Sequence, residues 1–465
     1  MLRCTVSRRI SRFNFGQPDM YSGFKGSLFV KPTTTLPDTG IHTSTLPNGV
    51  KVVTHDQGGA TSTVGVYVEA GAKFDPAYAP GMSHVMRFAI LGSNFHNSLF
   101  QIDRAMRSVG ASYNSTDVNK RFIGWTAAMS RGSYASPLEH LLTCVACPRL
   151  SETDIERFRD TMDNILEERR WQHPRDYCVD QAESVAFNRE RLGSPRFVPP
   201  FANDASSAEK LLNQYCSYFL PSRVTVVGVN VAHDELVANY NGGPYPHSAS
   251  APHHAGAKPA QITAADELKQ YTGGRDGYEQ EKREKEMSTK PNMEKETIAA
   301  IAFPSAGLDS DLPSYASTLV LRELINVAQQ DGIHYLRHES HFGVRSFYRP
   351  FSTAGLIGIT IRDKPDAVYD ALKTLVQLNA DIKDLAAAKV RAEIAFHHDH
   401  LEAQKDYTNF LVSSPHKVED VIAAIRNVSE KEVSRAYDLA KSQAPCLFAT
   451  GETMKLPSMH QLLRK

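Results

Sequence analysis

The sequence predicts an α+β protein built of two homologous tandem domains, each a mostly antiparallel β-sheet packed with helices. Three observations carry that expectation. At 465 residues the chain is longer than one ordinary hydrophobic core. Short runs rich in Val, Ile and Thr are interleaved with longer apolar-periodic stretches, the mixture that lays helices on a sheet. The order of these elements then begins again about 235 residues downstream.

In the first half, TSTLPNGVKVVT (43–54) places Asn48-Gly49 as a tight turn between two extended runs. Residues 63–70 alternate, with Val64, Val66 and Val68 on one face, and end at Gly71. A helix around His84 follows, then a helix over 102–109 and strands over 111–115 and 121–128. The apolar spacing of 136–147 and 153–171 predicts two further helices, the second opened by Ser151-Glu152-Thr153-Asp154, a good capping region. A helix over 212–220 and the buried strand RVTVVGV (223–229) close the unit.

The domain organisation expected is an extension over 1–42, a first domain over 43–240, a linker over 241–264 and a second domain over 265–465. The linker rests on composition, since 241–261 is Pro, Gly, Ala and Ser with almost no large apolar residue. Its His247, His253 and His254 are expected in a solvated loop. The run EQEKREKE (279–286) is likewise expected on a solvated strand edge or loop. Beyond it, residues 298–303 lead to Ala306-Gly307 as 64–69 lead to Ala70-Gly71. Residues 315–327 give the matching helix, and Leu356-Ile357-Gly358-Ile359 the counterpart of Phe122-Ile123-Gly124-Trp125.

Lys plus Arg equals Asp plus Glu at 52 each, so no global field draws the protein to nucleic acid or an anionic membrane. No apolar run reaches the roughly 18–20 residues of a spanning helix, which leaves membrane contact to partners. Six scattered cysteines point to a reducing compartment rather than a disulfide framework. Cys144 and Cys147 form a C-x-x-C, but Leu138, Leu141, Leu142, Val145 and Ala146 make that segment the buried side of a helix stopping before Pro148. The first 15 residues carry Arg3, Arg8, Arg9 and Arg12, hydroxyl residues and no acid, the composition of a mitochondrial transit peptide.

The stretch with most chemical content is Gly81-Met82-Ser83-His84-Val85-Met86-Arg87-Phe88. One class of zinc peptidase carries His-x-x-Glu-His on a helix, the two imidazoles binding the metal and the carboxylate acting as general base. Here His84 stands at the first ligand position, Arg87 where the base belongs and Phe88 where the second ligand belongs. A guanidinium cannot give up its proton and a phenyl ring has no donor atom. The spacing therefore predicts a peptidase scaffold without catalytic residues, metal or cofactor. In the second half the position of His84 falls near Leu319 or Val320, which adds no ligand. His397 and His400, three apart, and the cluster His334, His338, His341 with Arg337 and Arg345 are expected on polar faces rather than at a metal.

Leu46-Pro47-Asn48-Gly49, Val68-Glu69-Ala70-Gly71, the His84 helix, Gly110-Ala111, Ile165-Leu166-Glu167-Glu168 and Tyr271-Thr272-Gly273-Gly274, in this order over about 43–450, resemble the mitochondrial processing peptidase family. Its relatives include the two core subunits of the cytochrome bc1 complex. The resemblance places Glu168 at or near the family's third, glutamate ligand, where without its imidazole partners it is expected to be a surface residue. The substrate-holding α subunit of the peptidase has a long glycine-rich loop after the first helix of its second half. Here residues 326–337 contain one glycine, Gly332, which argues against the same substrate handling. Ser83-His84-x-x-Arg87 is similar to the degenerate motif of the core-subunit branch. The resemblance thus implies an inert, structural subunit on the matrix side of the mitochondrial inner membrane. Its implied partners are core protein 1, cytochrome b, cytochrome c1 and the Rieske subunit. Two other readings are an α subunit of the processing peptidase and a free-standing enzyme using Arg87 and the His334–His341 cluster.

Overall fold

The structure is a computed structural model that describes residues 40–189, 191–199, 207–241, 267–280, 296–332, 343–378 and 384–464. The basic N-terminal segment, the linker histidines, the charged run beyond Gln280 and the His334–His341 cluster lie outside these residues. The chain forms two compact units that are discontinuous in sequence. The first contains residues up to Met162, Val198–Ile262 and His400–Ser413; the second contains Asp163–Phe197, Thr263–Asp399 and Ser414–Lys465.

The first unit is a six-stranded sheet in the order β1-β2-β6-β3-β5-β4. Strands β1 (Ile41–Thr45) and β2 (Lys51–His55) form the hairpin expected from Asn48-Gly49. Gly49 sits at φ 92°, a conformation that disfavours a side chain, and the Asn48 side chain accepts from the Val50 N–H at 3.1 Å. β3 (Thr61–Val68), β5 (Phe122–Ser130) and β6 (Val224–Val229) make the buried centre, and β4 (Ser112–Val118) is an edge. All pairs are antiparallel except β2 with β6. Period-2 alternation divides β3 between two faces. Val64, Val66 and Val68 join Trp125 and the helices α1 (Met82–Ile90), α2 (Leu99–Ser108) and α3 (Ala135–Ala146) in the main core. Tyr67 points to the opposite face, where its ring lies over Gly65 and Gly124; a Cβ on Gly124 would meet that ring at 2.3 Å.

The helix α4 (Glu152–Gln172) begins in the first unit and ends in the second. It is followed by α5 (Pro174–Ala186), whose Tyr177, Cys178, Val179, Ala182, Val185 and Ala186 are buried in the core of the second sheet. Helices α6 (Ala208–Tyr218) and α7 (His233–Asn241) return to the first unit. The second sheet has the order β7-β11-β8-β10-β9, built from β7 (Asp276–Gln280), β8 (Thr297–Ala306), β9 (Gly343–Pro350), β10 (Ala354–Asp363) and β11 (Cys446–Gly451). Its strand order and directions repeat β2-β6-β3-β5-β4, down to one parallel pair, β7 with β11, at the same end. Helix α8 (Leu312–Gly332) follows β8 as α1 follows β3, with Leu319 and Val320 buried. Then come α9 (Pro365–Leu375), α10 (Leu385–His400), α11 (Gln404–Ser413), α12 (Val418–Asn427), α13 (Glu430–Lys441) and α14 (Met459–Leu463).

The repeat extends to an exchange of helices. α5, from the first half of the chain, covers the second sheet, while α11, from the second half, covers the face of the first sheet that carries Tyr67. There the Tyr67 hydroxyl bonds Thr408 at 2.7 Å and Asn409 at 3.0 Å, and Leu411 and Val412 pack against Val53, Phe122 and Val227. A division of the chain at about 240 assigns α5 to the first domain by sequence; its contacts lie in the second unit. Glu279 lies on the edge strand β7, as expected, and is part-exposed there; it pairs with Arg170 and accepts from the Tyr177 hydroxyl at 2.7 Å.

Candidate functional site

β3 feeds directly into α1. After Val68 the chain turns through Gly71 and a short 3-10 turn, Ala72–Phe74, to Asp75, then runs to Gly81. Gly81 is the N-cap of α1 in the left-handed conformation, φ 82°, and has no side chain to offer the helix end. Asp75 supplies that function from the preceding loop. One carboxylate oxygen accepts from the Ser83 N–H at 2.9 Å and the other from the Ser83 hydroxyl at 3.0 Å. Ser83 is the second helical residue, whose N–H is among those with no intrahelical acceptor. Burial holds the Asp75 carboxyl well above the usual carboxylate range, against the opposing pull of these bonds. Asp75→Ala is expected to lower the stability of the first unit by about 1–2 kcal/mol through loss of the cap, and Asp75→Asn by less, because an amide oxygen still accepts. Equal losses in chemical denaturation would remove Asp75 as the cap.

The residue after Ser83, His84, is 1% exposed. Its Nδ1 accepts from the backbone N–H of Val198 at 3.2 Å, so the ring proton sits on Nε2. Burial, then the neighbouring Arg87 guanidinium, keep its pKa well below the ordinary histidine value, and the ring is neutral. Phe88 stands edge-on to it, with ring centroids 5.3 Å apart and planes at 82°, and packs on Phe158 at 6.3 Å. Arg87 is half-buried, and its carbonyl accepts from the Trp125 indole N–H at 2.9 Å, fastening α1 to β5.

His84, Arg87 and Phe88 are thus on one short helix, as the sequence predicts, and Phe88 lies on His84. Glu168 is exposed on the part of α4 that belongs to the second unit. The donor set does not fit zinc. His84 is a neutral imidazole engaged through Nδ1, Arg87 has no lone pair, and Phe88 presents hydrocarbon where a second imidazole would be needed. Among the described residues no three His, Cys, Asp or Glu side chains group as metal ligands. The site packs and orients α1 through Asp75, His84 and Phe88.

The other candidates resolve similarly. Cys144 is buried in the core near the end of α3, its thiol pushed up to about 12 by burial, with the Asn94 amide 3.7 Å from its sulfur. Cys147 lies just past the helix end, and the two are not joined in a disulfide. His397 is exposed on α10, and His400 packs on Phe410 with centroids 5.2 Å apart. Asp75 and Val198, which hold α1 and His84, were not singled out from sequence. Asp75-Pro76 is a turn signal that could have marked the first; nothing local marks the second.

Residues 51–200 match the insulinase family, peptidase family M16. Over these residues the chain is similar to a peptidase M16 domain. The chain is 22% identical over 365 residues to the protein named cytochrome b-c1 complex subunit 2, mitochondrial, of Rattus norvegicus, covering 76% of this chain and 75% of that one. The Homo sapiens protein of the same name is 21% identical over the same shares. The mitochondrial-processing peptidase subunit alpha of Bos taurus is 21% identical over 456 residues, 89% of this chain and 82% of the relative. The α+β fold with two mixed sheets agrees with an M16 domain and a second unit of matching topology. None of the helices among the described residues is long and apolar enough to cross a membrane.

Proposed function

We propose that this chain is a catalytically inert, M16-type core subunit of the mitochondrial cytochrome bc1 complex, the counterpart of subunit 2. The observation that carries the reading is the site on α1, where His84 is buried against Phe88 and Arg87 replaces the base. Similarity over three quarters of both chains to proteins named as subunit 2 of that complex supports it. The role is assembly on the matrix face of the inner membrane, in support of electron transfer from quinol to cytochrome c by other subunits. Its partners would be core protein 1, cytochrome b, cytochrome c1 and the Rieske subunit, and its basic first residues a mitochondrial transit segment. No cofactor is assigned to this chain.

A second reading has its own support. The processing-peptidase α subunit of Bos taurus aligns with a larger share of the chain. Against it stands the single glycine of residues 326–337, too few for a sweeping substrate loop. The two readings part on company. Solubilising mitochondria in mild detergent and capturing the tagged chain is expected to recover cytochrome b, cytochrome c1 and a second M16-type subunit. Recovery of only a soluble partner with an intact His-x-x-Glu-His motif, together with cleavage of presequence peptides, would replace the proposal with the peptidase reading.

A further inference from the structure

Within the second unit a cavity of about 270 Å³ opens between the start of α5 and strands β9 and β10. Three guanidinium groups line it from three different elements: Arg175 of α5, Arg345 of β9 and Arg362 of β10. Arg175 is held in place, donating to the Gly343 carbonyl at 2.7 Å and to the Thr360 hydroxyl at 3.3 Å. Its pKa is lowered to about 10, first by burial and then by the charges of Arg345 and Arg362. Of the acids nearby, Asp176, in the lining, is committed to arginines outside the cavity, Arg169 at 3.2 Å and Arg349 at 3.7 Å, whereas Glu296 pairs with the cavity's own Arg362 at 2.7 Å. Among the described residues no carboxylate pairs with Arg345, which is exposed at the cavity.

Like charges gathered on a partly desolvated wall repel one another, and the repulsion is relieved by an anion between them. The contrast a few residues along α5 is informative. There Asp180 and Glu183 meet Arg169, Arg196 and Arg349 in a cluster that balances itself. At the cavity the cations predominate. Guanidinium groups supplied by three different elements, each with several N–H donors, suit an oxyanion of more than one face such as phosphate. Phe347 and Val179 add an apolar wall beside them. We propose that Arg175, Arg345 and Arg362 form a binding site for a phosphate group carried on a small organic molecule or a lipid headgroup. This does not depend on the assembly role above.

The experiment uses the full chain and two probes: inorganic pyrophosphate in calorimetric titration, and flotation with phosphatidylcholine vesicles with or without phosphatidylglycerol. Binding to at least one probe is expected, weakening as salt rises. Arg345→Glu should weaken it at least about tenfold, Arg345→Lys should retain most of it, and Lys431→Glu, on α13 outside the cavity, should leave it unchanged. Because Arg345 is exposed, the variants should keep the parent's thermal transition. Binding of pyrophosphate would identify a soluble phosphate compound as the source, and binding only to phosphatidylglycerol vesicles a headgroup. No binding to either probe, or binding undiminished in Arg345→Glu, would overturn the site.

Discussion

Arg196→Ala is expected to destabilise the second unit by about 3–5 kcal/mol, because it strands a buried carboxylate. Glu183 lies on α5 with no exposure and accepts from Arg196 at 3.1 and 3.3 Å; Arg349 approaches it at 3.7 Å. One turn back, Asp180 is buried beside Arg169 at 3.2 Å, and burial raises its carboxyl pKa although Arg349 and Arg169 pull it down. Taking away Arg196 leaves both acids to share the remaining cations in a site of low polarity. Exchanging Glu183 and Arg196 together for apolar residues of similar volume should cost far less than Arg196→Ala alone, since the Glu183 charge is removed together with its partner. Denaturant unfolding of the two single variants and the double variant measures this coupling. A loss below about 1 kcal/mol for Arg196→Ala would mean that water reaches the acids and that the pair behaves as a surface ion pair.

That same network explains what the sequence left unread. The hydrophobic periodicity that marks α1, α3 and α8 is interrupted in α5 by Asp180 and Glu183, which are buried yet polar, so PRDYCVDQAESVA does not display an apolar stripe. The helix that packs on the second sheet therefore carried no such signal. α11 was missed on similar grounds, since its Tyr67 contacts run through Thr408 and Asn409 rather than an apolar face. The central strands β2, β3 and β6, by contrast, were legible as runs rich in Val and Thr, while β9 and β11 of the second sheet were not expected. The duplication was legible because two such runs recur at one spacing, and the strand order later repeats.

At the candidate site, sequence gave the identity of the side chains but not their surroundings. That Arg87 and Phe88 cannot replace a carboxylate and an imidazole follows from their chemistry alone. That His84 is sealed in the core, with Nδ1 on a backbone N–H 114 residues away, depends on a loop whose path no local pattern encodes. The arginine-lined cavity was equally hidden. Arg175, Arg345 and Arg362 are far apart in the chain, and only the pairing of β9 with β10 and the docking of α5 bring them together.

The first unit is expected to lose stability steeply as pH falls from about 6.5 towards about 4, with His140 as the main cause. His140 lies on α3 in the core, 6% exposed, and burial lowers its pKa from 6.5 to about 4. Below 6.5 the unfolded chain takes up a proton that the folded ring resists, so the stabilising contribution is complete above 6.5 and disappears as pH approaches the folded value. A shift of that size corresponds to about 3 kcal/mol. His84 acts in the same direction, being buried and held neutral beside Arg87. Asp75 opposes them: its raised carboxyl pKa favours the protonated folded form, so its contribution grows as pH falls. Thermal unfolding across this range should therefore show a falling midpoint, and His140→Gln, which removes the titrating ring, should flatten the curve whatever it does to stability at neutral pH. If the variant's curve kept the parent's slope, the acid sensitivity would belong to other groups and His140 would titrate alike in the folded and unfolded states.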